Sequence, residues 1–172
     1  MSLAWKTLAV TYAGVSVVAY SAWLPPAPKL IWNASASVPI GLYQVEPVST
    51  LKVTDLVVVR PPEALEKFLA DGGYLPRGVP LLKRIAGLPG QTVCRLGLAV
   101  SVDSVPFGEA LSHDQRGRPL PVWQGCVTLA SGQVFLFNSD SPDSLDGRYF
   151  GPLPISSIIG SATSLWTPGG PD

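Results

Sequence analysis

Lys83 stands inside the run Leu81-Leu82-Lys83-Arg84-Ile85-Ala86-Gly87-Leu88-Pro89-Gly90. On an extended strand alternate side chains share a face, so Leu81, Lys83 and Ile85 point together. An ammonium between two aliphatics is stripped of water, which disfavours the charged form and lowers the pKa by roughly 3–5 units at full burial. A neutral amine near pH 7–8 can act as a general base. The alternative is a surface lysine beside a solvent-facing Arg84. A second group lies in Asn33-Ala34-Ser35-Ala36-Ser37-Val38-Pro39-Ile40-Gly41. In an extended segment Ser35 and Ser37 share a face, so one hydroxyl could attack a carbonyl while the other, with a backbone N–H, stabilises the oxyanion. A third is the loop from Asn138 to Pro152, with Asp140, Asp143, Asp146, three serines and Arg148. A serine there could orient the Lys83 amine while Asp146 and Arg148 pair to stiffen the loop. Taken singly, the second reads more readily as a polar linker, and the third is no more specific than a solvated connector.

These groups need a scaffold, and composition indicates which kind. The 172 residues carry zero formal net charge, which gives no footprint for nucleic acid, and only 14% charged residues against 47% hydrophobic; a typical soluble domain is about 25% charged. Eighteen prolines and seventeen glycines favour turns over long helices. Short runs at 41–45, 56–59, 81–86, 99–102, 134–137 and 158–166 read as strands. Residues 61–70 have helical spacing, with Pro61 and Pro62 at the start and Gly72-Gly73 beyond the end. The expectation is a mainly β body of curled antiparallel sheets or an irregular barrel, with one short helix.

Thr7 to Leu24 is an uncharged run of eighteen residues with Trp5, Tyr20 and Trp23 near its ends. It reads as an N-terminal transmembrane helix, and Lys6 before it favours a cytoplasmic N-terminus and an exported body. A cleaved signal peptide or a buried core helix is the alternative. Pro25, Pro26 and Pro28 then form a stiff exit, dividing the chain into an anchor at 1–28 and a body at 29–172. Both cysteines, Cys94 and Cys126, fall in the body, where export makes one disulfide the simple reading and two buried thiols the alternative. With one histidine, His113, and no paired cysteine motif, neither a metal nor another cofactor is expected. His113 could serve a Ser-His-Asp hydrolase, but the chain lacks a Gly-x-Ser-x-Gly elbow. A non-catalytic anchored scaffold is a further reading.

In combination and order, the segments resemble signal peptidase I, membrane-anchored serine endopeptidases with a serine–lysine dyad. Lys83 to Gly90 is the most specific part of the match, and Ser144-Leu145-Asp146-Gly147-Arg148-Tyr149-Phe150-Gly151 follows the family's Ser-x-Asp-Ser-Arg-Tyr-aromatic-Gly. Ser37 to Tyr43, the stretch from Glu109 to Pro121 and the two cysteines around it look like the conjugative-transfer branch called TraF. The resemblance implies Ser37 as nucleophile, Lys83 as base, Ser35 and the Ser37 N–H as oxyanion hole, Ser144 as the lysine-orienting hydroxyl, and Asp146–Arg148 as a structural ion pair. It implies a signal-peptide-bearing precursor as substrate, pilin-like on this branch and in some systems joined into a ring, with general housekeeping signal-peptide cleavage as the alternative. The location it implies is the bacterial inner membrane, single-pass, with a periplasmic catalytic domain. The sequence departs from the family pattern in three places: Val38 followed directly by Pro39, Gln91 after Leu-Pro-Gly, and Gly147 before Arg148.

Overall fold

The computed structural model describes residues 3–23 and 28–168. Helix α1 covers Leu3–Trp23, and every side chain from Ala4 to Tyr20 is exposed. No helix among the described residues is long and apolar enough to cross a membrane. The expected helix therefore forms, but a transmembrane helix is not shown. Lys6 and the hydroxyl-bearing Thr7, Thr11, Tyr12, Ser16 and Tyr20 dilute its apolar character. Leu24, Pro25 and Pro26, the end of the expected anchor and the start of its exit, lie outside the described residues.

The body is mainly β, with two antiparallel sheets. Strands β1 (Leu30–Asn33), β2 (Gly41–Glu46), β3 (Leu56–Val59), β4 (Leu81–Gly87), β9 (Gln133–Leu136), β10 (Leu153–Pro154) and β11 (Ile158–Trp166) form the larger one, in the order β1-β2-β11-β3-β4-β9-β10. Strands β5 (Thr92–Leu96), β6 (Ala99–Val102), β7 (Val105–Glu109) and β8 (Gly125–Thr128) form the smaller, ordered β7-β6-β5-β8. Both faces of the larger sheet are covered. Val57, Val59, Ile85, Val134 and Leu136 pack on one side, while Val38, Tyr43, Val45, Val58 and Leu82 pack on the other. Alternation along β3 thus feeds two cores, which explains why Leu56–Val59 is an unbroken apolar run. A third cluster, around Val93, Val100, Phe135 and Phe137, joins the small sheet to the end of the large one.

The amphipathic helix is α2 (Glu63–Asp71), which buries Leu65 and Leu69. It stops where Gly73 takes φ 64°, in the left-handed region that glycine tolerates, and the N–H groups of Gly72, Gly73 and Tyr74 cap the last carbonyls. Sequence reading placed one short helix; the fold adds a single turn, α3 (Gly147–Phe150), inside the loop read as a connector. The expected disulfide forms. Cys94 on β5 and Cys126 on β8 stand directly opposite in register and are bonded.

Candidate active site

Lys83 reaches the site from β4, where it pairs with Val57 of β3. It is only 3% exposed, and its Nζ donates to Ser144 Oγ at 2.7 Å. Burial among apolar strands pushes the amine down from 10.5 to about 8; Asp146 opposes that shift and Arg148 adds to it. Nearly a tenth of the amine is then neutral at pH 7, against roughly one part in 3,000 for an unshifted lysine.

Ser144 is held by Arg148. The guanidinium donates to the Ser141 and Ser144 carbonyls at 2.8 and 3.0 Å and to both oxygens of Asp146 at 2.9 Å. Asp146 also accepts the N–H groups of Asn138 and Arg148, so the buried carboxylate is saturated. This ion pair is itself nearly inaccessible, with Asp146 and Arg148 each 2% exposed. A buried pair of this kind fixes a shape; its net stabilisation is small because desolvation offsets attraction. Here the shape fixed is the turn that carries Ser144.

Ser37 comes from the turn between β1 and β2. Asn33, at the end of β1 and buried, organises that turn. Its Oδ1 accepts from the N–H and hydroxyl of Ser35, and its Nδ2 donates to the carbonyls of Ser35, Val38 and Pro39. Val38 anchors the turn in the core. Asn138 then ties it to the lysine strand: its Nδ2 donates to the Ser37 carbonyl at 2.8 Å and to the Leu82 carbonyl at 3.3 Å, while its Oδ1 accepts from Arg84 N–H at 2.9 Å. The two asparagines set the Ser37 turn against β4, although neither carries a role in the sequence reading. Asn33 was visible as a turn-former followed by small residues; nothing local marks Asn138.

Ser37 and Lys83 line one cavity of about 440 Å³, together with Ser144, Leu145 and Tyr149. Within it Ser37 Oγ bonds Ser35 Oγ at 3.0 Å, while Lys83 Nζ bonds Ser144. The Ser35 hydroxyl donates to Asn33, so using it on an oxyanion requires rotation away from that acceptor. A hydroxyl and a largely desolvated amine lining one cavity can together perform acyl transfer, with the amine as proton acceptor. His113 is elsewhere: exposed, bonded to Ser112 Oγ, and absent from the cavity wall. Among the described residues no group of His, Cys, Asp and Glu could hold a metal ion.

The family description "Signal peptidase, peptidase S26" matches residues 2–167. This chain belongs to that family. Similar proteins include "Probable conjugal transfer protein TraF" of Sinorhizobium fredii, 34% identical over 145 residues, 78% of this chain and 76% of the relative. "Plasmid transfer protein TraF" of Escherichia coli is 33% identical over 137 residues, 74% of this chain and 77% of the relative. "Probable signal peptidase I-1" of Synechocystis is 33% identical over 117 residues, 68% of this chain and 55% of the relative.

Two departures from the signal peptidase pattern have a local cause. A Cβ on Gly147 would lie 2.5 Å from the Phe135 ring and 2.7 Å from the Leu136 carbonyl, so only glycine fits beneath α3. Gln91 closes the turn after Leu-Pro-Gly by accepting from Leu88 N–H and donating to Asp103, work done through an amide at both ends. At the third, Val38 directly before Pro39, the apolar side chain is buried in the core.

Proposed function

We propose that the chain is a serine endopeptidase that cleaves signal peptides from exported precursors, with a pilin-like conjugative precursor as its substrate. Ser37 is the nucleophile and Lys83 the general base. The observation that carries this reading is a buried amine, poised near pH 8, lining the same cavity as Ser37. Ser37 Oγ adds to the scissile carbonyl carbon as its proton passes to Lys83 Nζ. The Ser37 N–H and a rotated Ser35 hydroxyl stabilise the oxyanion. Collapse breaks the C–N bond, Lys83 returns the proton to the leaving amine, and water hydrolyses the ester on Ser37. Ser144 aims the lysine, and the Asp146–Arg148 pair holds Ser144. In this reading residues 1–28 attach the enzyme to the inner membrane and residues 29–172 form the periplasmic catalytic body. Support for attachment is the exposed apolar surface of α1, where Leu8, Val10, Val15, Val17 and Val18 are each at least 63% exposed. Ser37 lies thirteen residues past Leu24, so the nucleophile stays near the depth at which a precursor leaves the bilayer.

The test is co-expression with candidate precursors and mass spectrometry of the product ends, with the wild type beside Ser37→Ala and Lys83→Arg. Wild-type cleavage lost in both variants supports the dyad, since arginine does not deprotonate in proteins. Processing that persists in either variant removes it. A product lighter than the linear form by one water would reveal that an amine, rather than water, takes the acyl group.

A further inference from the structure

We propose that Arg116 is a specificity residue that binds a carboxylate of the substrate close to the scissile bond. The inference rests on the peptidase reading above and adds a substrate requirement to it.

Residues 113–119 form a tight hairpin on the rim of the Ser37–Lys83 cavity. Backbone of His113 bridges Pro119, and Asp114 N–H donates to the Arg118 carbonyl. Asp114 is the clamp of this hairpin: its carboxylate accepts the N–H groups of Arg116 and Arg118, the Arg118 guanidinium and the Tyr74 hydroxyl. Partial burial opposes ionisation, yet these donors hold Asp114 well below the usual carboxylate range. Arg118 is spent inside the clamp, donating to Asp114 and the Gly72 carbonyl and stacking on Tyr74. Neighbouring Gln115 donates to Asp143, the residue before Ser144, which ties the hairpin to the lysine-orienting turn.

Arg116 is the cation of this hairpin without such employment. Its backbone is fixed by Asp114, its side chain is exposed on the cavity wall, and no carboxylate among the described residues pairs with its guanidinium. Both acids nearby, Asp114 and Asp143, already accept from other donors. A rigidly based guanidinium facing a substrate cavity offers a planar fork of donors that fits a carboxylate better than it fits any neutral group. That carboxylate can belong to an acidic side chain or to a free chain end a few residues from the cut.

The experiment uses the full chain in detergent micelles and fluorogenic peptides spanning the cleavage site found in the co-expressed precursor. Glutamate or glutamine is placed in turn at each position flanking the bond, and each peptide is made as free acid and as amide. The readout is the ratio of kcat/KM between the acidic peptide and its neutral isostere. The wild type is expected to favour one acidic position roughly tenfold, a charge-assisted hydrogen bond's worth. That ratio should collapse towards one in Arg116→Gln and invert in Arg116→Glu. A preference located at the free acid over the amide identifies the chain end; one located at Glu over Gln identifies a side chain. No acidic preference in the wild type, or the same ratio in Arg116→Gln, overturns the inference while leaving the peptidase intact. No cleavage of any peptide or precursor removes the peptidase reading, and this one with it.

Discussion

Replacing Lys83 by methionine should abolish cleavage and make the protein more stable at neutral pH. The amine sits at about 8 in the fold against 10.5 for an ordinary lysine. That difference corresponds to a penalty of roughly 3 kcal/mol for holding the charged form in the folded state. The sign follows from proton counts. Below pH 8 both folded and unfolded chains carry the proton, and the whole penalty is present. Between about pH 8 and 10.5 the unfolded chain binds the extra proton, so wild-type stability rises with pH through that window. Methionine nearly conserves volume and removes the penalty. It also forfeits the bond to Ser144, worth about 1 kcal/mol. The net gain at pH 7 is about 2 kcal/mol, shrinking and then reversing as pH approaches 10. Urea denaturation of wild type and Lys83→Met from pH 6 to 10 measures this directly. A difference that stays constant with pH, or a variant less stable than wild type at pH 7, would refute the reasoning.

Three further outcomes follow from the packing around the site. Asn138→Ala removes the two Nδ2 donations, so kcat should fall at least tenfold while unfolding becomes easier by about 1–3 kcal/mol; unchanged kcat would show that the Ser37 turn needs no such tie. Arg148→Met strands the buried Asp146 carboxylate and should cost about 3–5 kcal/mol in denaturant unfolding, whereas a loss below 1 kcal/mol would mean the pair is not the turn's support. Gly147→Ser restores the common family residue but drives its Cβ into Phe135 and the Leu136 carbonyl, so it should destabilise by about 1–3 kcal/mol; a neutral result would show that α3 can lift freely.

What was legible in the sequence was whatever acts through local pattern. Lys83 between Leu81 and Ile85 offered a buried amine through strand alternation, although a surface lysine fitted the same run. The apolar runs at 56–59, 81–86 and 158–166 read as strands for the same reason and are β3, β4 and β11. Strands β5, β7 and β8 were missed: Arg95, Pro106, Gly108 and Gly125 interrupt their patterns, and pairing in the small sheet overrides weak propensity. Strand β1 was not assigned, since it is only four residues long and follows directly on the proline-rich exit. Asn138 illustrates the deeper limit. It meets Ser37 across 101 residues and acts on backbone carbonyls, which leave no side-chain partner in the sequence to point back to it. At the N-terminus the expected helix is present, but an uncharged stretch shows length and not how far its hydroxyls and Lys6 weaken a spanning segment.

Acylation of a hydroxyl with the help of one desolvated amine is read out by the rate of ester formation on the enzyme as a function of pH. Intact protein is incubated with a precursor peptide, quenched in acid, and mapped by mass spectrometry. An acyl adduct is expected on Ser37, with a formation rate that rises along a single ionisation near pH 8 and vanishes in Lys83→Met. An adduct on another residue, or a Ser37 rate indifferent to pH between 6 and 10, would contradict it.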